Sequence, residues 1–267
     1  MTLRTMLIAT AFVVAALPAY AADAKLAAAI AAPGRATENS SRDGARHPAA
    51  SLAFWGLKPG QSVVEISPGG GYWSEILAPY AKQTGGRYVV AMGKAGDKLP
   101  AKFADKSVYG DVHYTVFSKE SGPLAPAGSA DLVLTARNIH NWIWTSGMAD
   151  KAMKDFYAVL KPGGILAIEE HRADPKPETD NAKSGYVSTR HVIDLATKAG
   201  FKLEAKSEIN ANPKDTKDHP FGVWTLPPSR QSTDGPGKPS PAGFDRAKYD
   251  AIGESDRMTL RFRKPVP

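Results

Sequence analysis

Short apolar runs rich in β-branched residues recur along this chain, separated by segments whose apolar positions fall three and four apart. From Val63 onward the runs are Val63–Ile66, Arg87–Met92, Val112–Phe117, Asp131–Thr135, Ile165–Glu170, Phe201–Ile209 and Met258–Arg263. Each has the length and composition of a strand, and the last alternates apolar and polar with period two. Between them, Trp73, Ile76, Leu77 and Tyr80 fall at i, i+3, i+4 and i+7, one apolar stripe of a helix. A second helix is predicted over Met148–Leu160, stopped by Lys161-Pro162-Gly163-Gly164. A third is predicted over Tyr186–Ala199, with Gly200 where a left-handed cap favours glycine. Strands alternating with helices predict an α/β fold, a doubly wound and mostly parallel sheet.

The two ends and one internal stretch depart from this rhythm. Residues 1–21 carry Arg4, an apolar middle from Met6 to Pro18 and the small-residue string Ala19-Tyr20-Ala21. That order is the order of a secretory signal, and the apolar middle is well short of the ~20 residues that span a bilayer. Cleavage there leaves a chain without a membrane segment, in the periplasm or secreted. Ala24–Ala32 reads as a short Ala-rich helix and Thr37–Pro48 as a polar stretch. Seven of the 21 prolines lie between Pro213 and Pro241, so residues 210–244 read as a long surface loop, partly ordered by Phe221, Val223 and Trp224. The division is a signal at 1–21, a helical extension at 22–47, and one domain at 48–267 carrying the insertion 210–244.

Composition removes several chemistries. There is no cysteine, which excludes disulfides, thiolate metal sites and a cysteine nucleophile. The formal charge is +7, yet the basic residues form no block of five or more. A solvated basic face is therefore expected, and no nucleic-acid partner. The pattern says nothing of oligomeric state.

The stretch from Val63 to Ala81 raises the functional question. An acid, Glu65, stands in a buried-looking strand, and the strand breaks into Gly69-Gly70-Gly71 before a helix. In an open parallel sheet such a turn reaches the ligand-binding edge, and glycines let the backbone approach a ligand closely. A dinucleotide fingerprint needs a third glycine and an acid at the end of the second strand. Ser74 and Met92 stand at those positions, and Tyr72 and Trp73 are bulky where a pyrophosphate needs clearance.

The string Glu65-x-Ser67-x-Gly69-x-Gly71 resembles the first motif of class I S-adenosylmethionine-dependent methyltransferases. Ala130–Trp142 resembles that family's fourth strand and following loop, and Leu160–Arg172, with its L-K-P-G-G-x-L string, the approach to its fifth strand. The likeness runs from about Pro48 to Arg263, and within the family the chain is similar to the exported predicted-methyltransferase members. The resemblance implies a seven-stranded Rossmann-like sheet with an antiparallel last strand, and S-adenosyl-L-methionine as cofactor. It places Glu65 beneath the cofactor and Gly69, Gly70 and Gly71 along it. Ser67 replaces a glycine, a change tolerated where its φ is negative and its hydroxyl faces outward. Tyr72, beside the turn, and Ser118, after the third strand, complete the implied cofactor set. The acid that the family keeps at the end of the second strand is replaced by Met92, with Asp97 a few residues on.

Methyl transfer asks for alignment and, for some acceptors, a general base. His140 and His171 follow the fourth and fifth strands, where ligands bind. Asn138 and Asn141 flank His140. These make His140, His171 and Asn138 the candidate catalytic residues. Trp142 and Trp144 offer an aromatic wall or a loop anchor. Arg42, Asp43, Arg46 and His47 offer contacts to an acidic acceptor, or solvated ion pairs. Glu170 and His171 are adjacent, so on a regular strand they point to opposite sides, and no metal site is expected. Two readings follow: an exported methyltransferase of a small-molecule acceptor, or a non-catalytic ligand-binding module on the same fold.

Overall fold

Side chains alternate across each strand, and that alternation builds two cores. A computed structural model describes residues 23–175 and 182–267; the signal-like residues 1–21 lie outside them. The strands are β1 (Ser62–Ile66), β2 (Arg87–Met92), β3 (Val112–Val116), β4 (Ala130–Ala136), β5 (Leu160–His171), β6 (Lys202–Ser207) and β7 (Arg257–Arg263). Val64, Ile66, Val89, Val133, Leu166 and Ile168 face one side, against Met153 and Phe156 of the helix Met148–Val159 and Val192 of the helix Thr189–Lys198. Val63, Tyr88, Val90, Leu132 and Leu134 face the other, against Ile76, Leu77 and Tyr80 of the helix Ser74–Thr84. Strands buried on both faces read as near-continuous apolar runs, which is why β1, β2, β4 and β5 are visible in the sequence.

The sheet order is β3-β2-β1-β4-β5-β7-β6. The β1–β2, β1–β4, β2–β3 and β4–β5 pairs are parallel, while β7 runs antiparallel to both β5 and β6. β1 and β4 are neighbours whose chain connections leave in opposite directions. The loops after them therefore meet at the switch point of the sheet, where open α/β sheets take their ligands. Among the described residues no helix is long and apolar enough to cross a membrane.

Three boundaries differ from the sequence reading, each for a local reason. β5 begins at Leu160, paired with Ala130, and the Pro-Gly-Gly segment forms an irregularity in the strand, with Gly163 at φ 79°, before pairing resumes at Ile165 and Leu132, rather than a plain stop. The third helix starts at Thr189, because Val187 bridges Arg172 and Ser188 caps the amide of His191. The polar stretch from Thr37 folds into helical turns Thr37–Ser40 and Asp43–Arg46, followed by the helix Pro48–Phe54. Arg46 there is only 1% exposed, so the solvated ion pairs weighed for this segment give way to a buried network. The insertion 210–244 holds a short 3₁₀ turn, Gly222–Thr225, clamped to the domain. At Gly222 a Cβ would fall 2.2 Å from the Ser184 carbonyl oxygen, so only glycine permits that approach.

Candidate active site

The loops after β1, β4 and β5 end around one cavity of about 230 Å³. Ser67 and Gly69 form one side, Arg137, Asn138 and His140 the other, and His171 closes it from β5. Its roof is supplied by the insertion, through Val223, Trp224 and the Pro227–Ser229 segment. Larger clefts of about 540 and 370 Å³ open at the amino ends of the strands, beside Arg87 and Gly110 and beside Gln61 and Gly164. Ligands of open α/β sheets bind at the carboxyl ends, so the smaller cavity is the candidate site. Two of the described non-glycine residues with positive φ, Ser67 (48°) and Arg137 (60°), line it. Backbone held in this region costs roughly 1–3 kcal/mol and concentrates at functional sites.

Glu170 organises the chemistry of the cavity. It is fully buried at the end of β5. Its Oε2 accepts the amides of Ile139 (2.6 Å) and His140 (3.4 Å), the first turn of the short helix Ile139–Ile143. Its Oε1 accepts the amide of His171 (2.8 Å) and lies 3.0 Å from His140 Nδ1. A carboxylate can only accept, so His140 Nδ1 carries a proton toward Glu170, and in the neutral ring it is Nε2 that offers the lone pair. This is a carboxylate-oriented imidazole. His171 Nδ1 meets Ser255 Oγ at 2.6 Å. Burial, and then the neighbouring His140, hold His171 well below the ordinary histidine range, so its ring is neutral near pH 7.

The expectation that Glu170 and His171 point apart is corrected here. At the strand's end the longer glutamate side chain folds back over its own successor's amide. His140, Glu170 and His171 thus bring ligand-type atoms within 4.8 Å of one another. With four N–H groups already on the Glu170 carboxylate, the set acts as a hydrogen-bonded dyad with a second histidine beside it.

The other sequence-predicted residues divide. Ser67 and Gly69 line the cavity, and Ser67 does so at positive φ, so the condition for an easy replacement of glycine is not met. Asn138 lines it too, but its amide nitrogen is spent on Ile66 O (3.0 Å), Ser67 O (3.4 Å) and Thr135 Oγ1 (3.2 Å). That ties the β1 loop to the β4 loop, a positioning role rather than a chemical one. Glu65 does not line the cavity. Its carboxyl is buried between Ser74 Oγ (2.9 Å) and the Tyr88 hydroxyl, and burial pushes it up to about 7. Tyr72 turns away, donating to Asp43 (2.7 Å) under the Arg46 guanidinium, which sits 4.4 Å from its ring centre. Gly70 and Gly71 lie outside the lining. The space over Gly71 is filled, since a Cβ there would lie 3.0 Å from the Phe103 ring. Ser118 is bound up in its own turn, its amide donating to Ser121 Oγ. Trp142 is core, against Phe117 and Phe156, whereas Trp144 is exposed and meets Trp224 at 5.8 Å between ring centres.

Behind the cavity lies a buried ion network that links the N-terminal extension to β7. Glu254 receives Arg42 (2.6 Å), Arg46 (3.0 Å) and Arg257. Arg257, 1% exposed, also pairs with Glu169 and donates to Ala45 O at 2.6 Å.

No family model matches the chain. It is 26% identical to the ubiquinone/menaquinone biosynthesis C-methyltransferase UbiE of Vibrio campbellii over 201 residues, 73% of this chain and 68% of that protein. It is 32% identical to the UbiE protein of Hydrogenovibrio crunogenus over 138 residues, so it spans about half of that relative, 48% of either chain. Among solved structures, the [4+2]-cyclase SpnF matches with a TM-score of 0.57 at 15% identity, over 83% of this chain and 81% of the other. The 1,6-didemethyltoxoflavin-N1-methyltransferase of Burkholderia thailandensis, solved with S-adenosylhomocysteine, matches with a TM-score of 0.50 at 13% identity, over 85% and 80%. The curated relatives are thus methyltransferases, and the seven-stranded sheet with its one antiparallel strand matches the Rossmann-like fold of its solved methyltransferase neighbours.

Proposed function

We propose that the chain is an S-adenosylmethionine-dependent methyltransferase for a small-molecule acceptor, working in an exported form. The observation that carries this is the His140–Glu170 dyad, facing the same cavity as the glycine turn. The residues present fit the cofactor at that turn. A Cβ added at Gly69 or Gly70 meets nothing within 4 Å, so the backbone there lies open to a ligand. Asp97 Oδ2 caps the Lys94 amide at 3.0 Å and sits beside Gly93, next to the end of β2. It would serve the ribose in place of the missing acid. When bound, the cofactor supplies an electrophilic methyl on sulfur and is left as the neutral thioether once the acceptor's nucleophile takes that methyl.

The chain's own residues do the rest. His140 Nε2 receives the proton that the acceptor's nucleophile loses, and the charge it gains is stabilised by Glu170 through Nδ1–H. Asn138 fixes the distance between the glycine turn and the His140 loop. Trp224 and the neutral His171 border the cavity beside His140. Export rests on the signal-like residues 1–21, and N-terminal sequencing of the chain from the cell envelope checks it: a start near Ala22 is expected.

A valine at Gly70 tests the cofactor assignment. Gly70 lacks positive φ and has open space at its Cβ, so Gly70→Val should leave the melting temperature of the free protein unchanged. It should abolish the rise of several degrees that saturating S-adenosylhomocysteine gives the wild type. An equal rise in both proteins would place the cofactor elsewhere. The second reading, a ligand-binding module without catalysis, is favoured by Met92 at the end of β2 and by the Phe103 ring that fills the space over Gly71.

A further inference from the structure

Arg137 lines the cavity with nothing to hold. Among the described residues its guanidinium makes no ion pair or hydrogen bond, and its Nε is buried without a partner. Its backbone sits at φ 60°, pinned by its amide on Glu169 O at 2.8 Å. The fold thus spends backbone strain to aim a long cation at this place. Burial lowers its affinity for its proton, and Glu169 and Glu254 offset only part of that, from a distance and without a direct ion pair.

The acids behind Arg137 are already committed. Glu254 carries Arg42, Arg46 and Arg257, and Glu169 carries Arg257. Asp43 is taken by Arg35 and Tyr72. Three guanidiniums therefore already share these two carboxylates before Arg137 is counted, and Arg42 Nη2 and both η nitrogens of Arg46 are buried without hydrogen bonds. An excess of buried positive charge next to an open cavity calls for a negative ligand. Beside Arg137 the cavity offers an aromatic face. Trp224 is braced by Trp144 and by His140, with ring centres 5.8 and 5.9 Å apart.

We propose that the cavity binds a small aromatic carboxylate, its carboxylate taken by the Arg137 guanidinium and its ring laid against Trp224. That this molecule is the methyl acceptor rests on the methyltransferase reading above; that it binds does not. A planar guanidinium presents paired donors that match a carboxylate, which a point-charge ammonium does not.

Calorimetric titration of the full chain with benzoate and with benzamide, its neutral isostere, tests this. Benzoate should bind about tenfold or more tighter than benzamide, the scale of a charged hydrogen-bonded pair. Arg137→Gln should remove that preference while leaving benzamide unchanged, and Arg137→Lys should restore part of it. Equal affinities on the wild type, or no binding of benzoate by about 10 mM, would overturn the proposal without recourse to any variant. S-adenosylhomocysteine also carries a carboxylate and forms the second arm. Its affinity should be the same for wild type and Arg137→Gln; a matching loss would assign Arg137 to the cofactor and end the proposal. Benzoate preference without any S-adenosylhomocysteine binding would uphold the anion site and discard the methyltransferase.

Discussion

Replacing His140 by alanine should slow methyl transfer about 10²–10⁴-fold, the usual contribution of a positioned general base, and leave S-adenosylhomocysteine affinity close to wild type. The separation follows from the geometry. His140 belongs to the loop after β4, whereas the open backbone for the cofactor is Gly69 and Gly70 after β1. Glu170→Gln should act in the same direction and less strongly, because the amide still offers an oxygen to the Ile139 and His140 N–H groups while the imidazolium loses its counter-charge. Release of S-adenosylhomocysteine in the presence of 3-hydroxybenzoate, a phenol carrying the proposed carboxylate, provides the assay. Normal turnover in His140→Ala alongside an active wild type would remove the base from the account and leave proximity alone.

Arg257→Ala should destabilise the chain by about 3–5 kcal/mol, the cost of breaking a buried charge pair by deleting one partner. The mutation strands Glu169, which is 1% exposed and unpartnered by hydrogen bonds. Burial already raises its carboxyl above the ordinary range, with Arg257 as the chief opposing influence. It also releases Ala45 and frees one corner of the Glu254 network. Glu169→Gln combined with Arg257→Met should recover much of the loss, since an apolar replacement of a whole buried pair is often neutral. Urea unfolding measures both; a loss under about 1 kcal/mol for Arg257→Ala would show that water reaches the network.

What the sequence made legible was the part written in periodicity. Strands buried on both faces are continuous apolar runs, so the order of β1 to β5 and the place of the glycine turn followed directly. The rule that ligands sit at the carboxyl ends then picked out His140 and His171, which do meet across one cavity, 5.4 Å between ring centres. Contacts between distant segments were not legible. Trp224 comes to the cavity from a Pro-rich insertion with no period to read. Arg257 meets Glu254 and Ala45 only once β7 lies beside β5. Glu170 was set aside on the alternation of strand side chains, a rule that fails at the last residues of a strand, where a long side chain can fold over the edge. The family resemblance puts Glu65 and Tyr72 at the cofactor. Their side chains point instead into the layer beneath the turn, where Asp43, Ser74 and Tyr88 hold them.

Calorimetric titration of the wild-type chain with S-adenosylhomocysteine measures whether the glycine turn holds the cofactor. Saturable binding near one equivalent in the micromolar range, about −8 kcal/mol, is expected, abolished in Gly70→Val and retained in His140→Ala. Absence of binding at millimolar concentration, by a wild-type chain that melts cooperatively, would contradict this role of the turn.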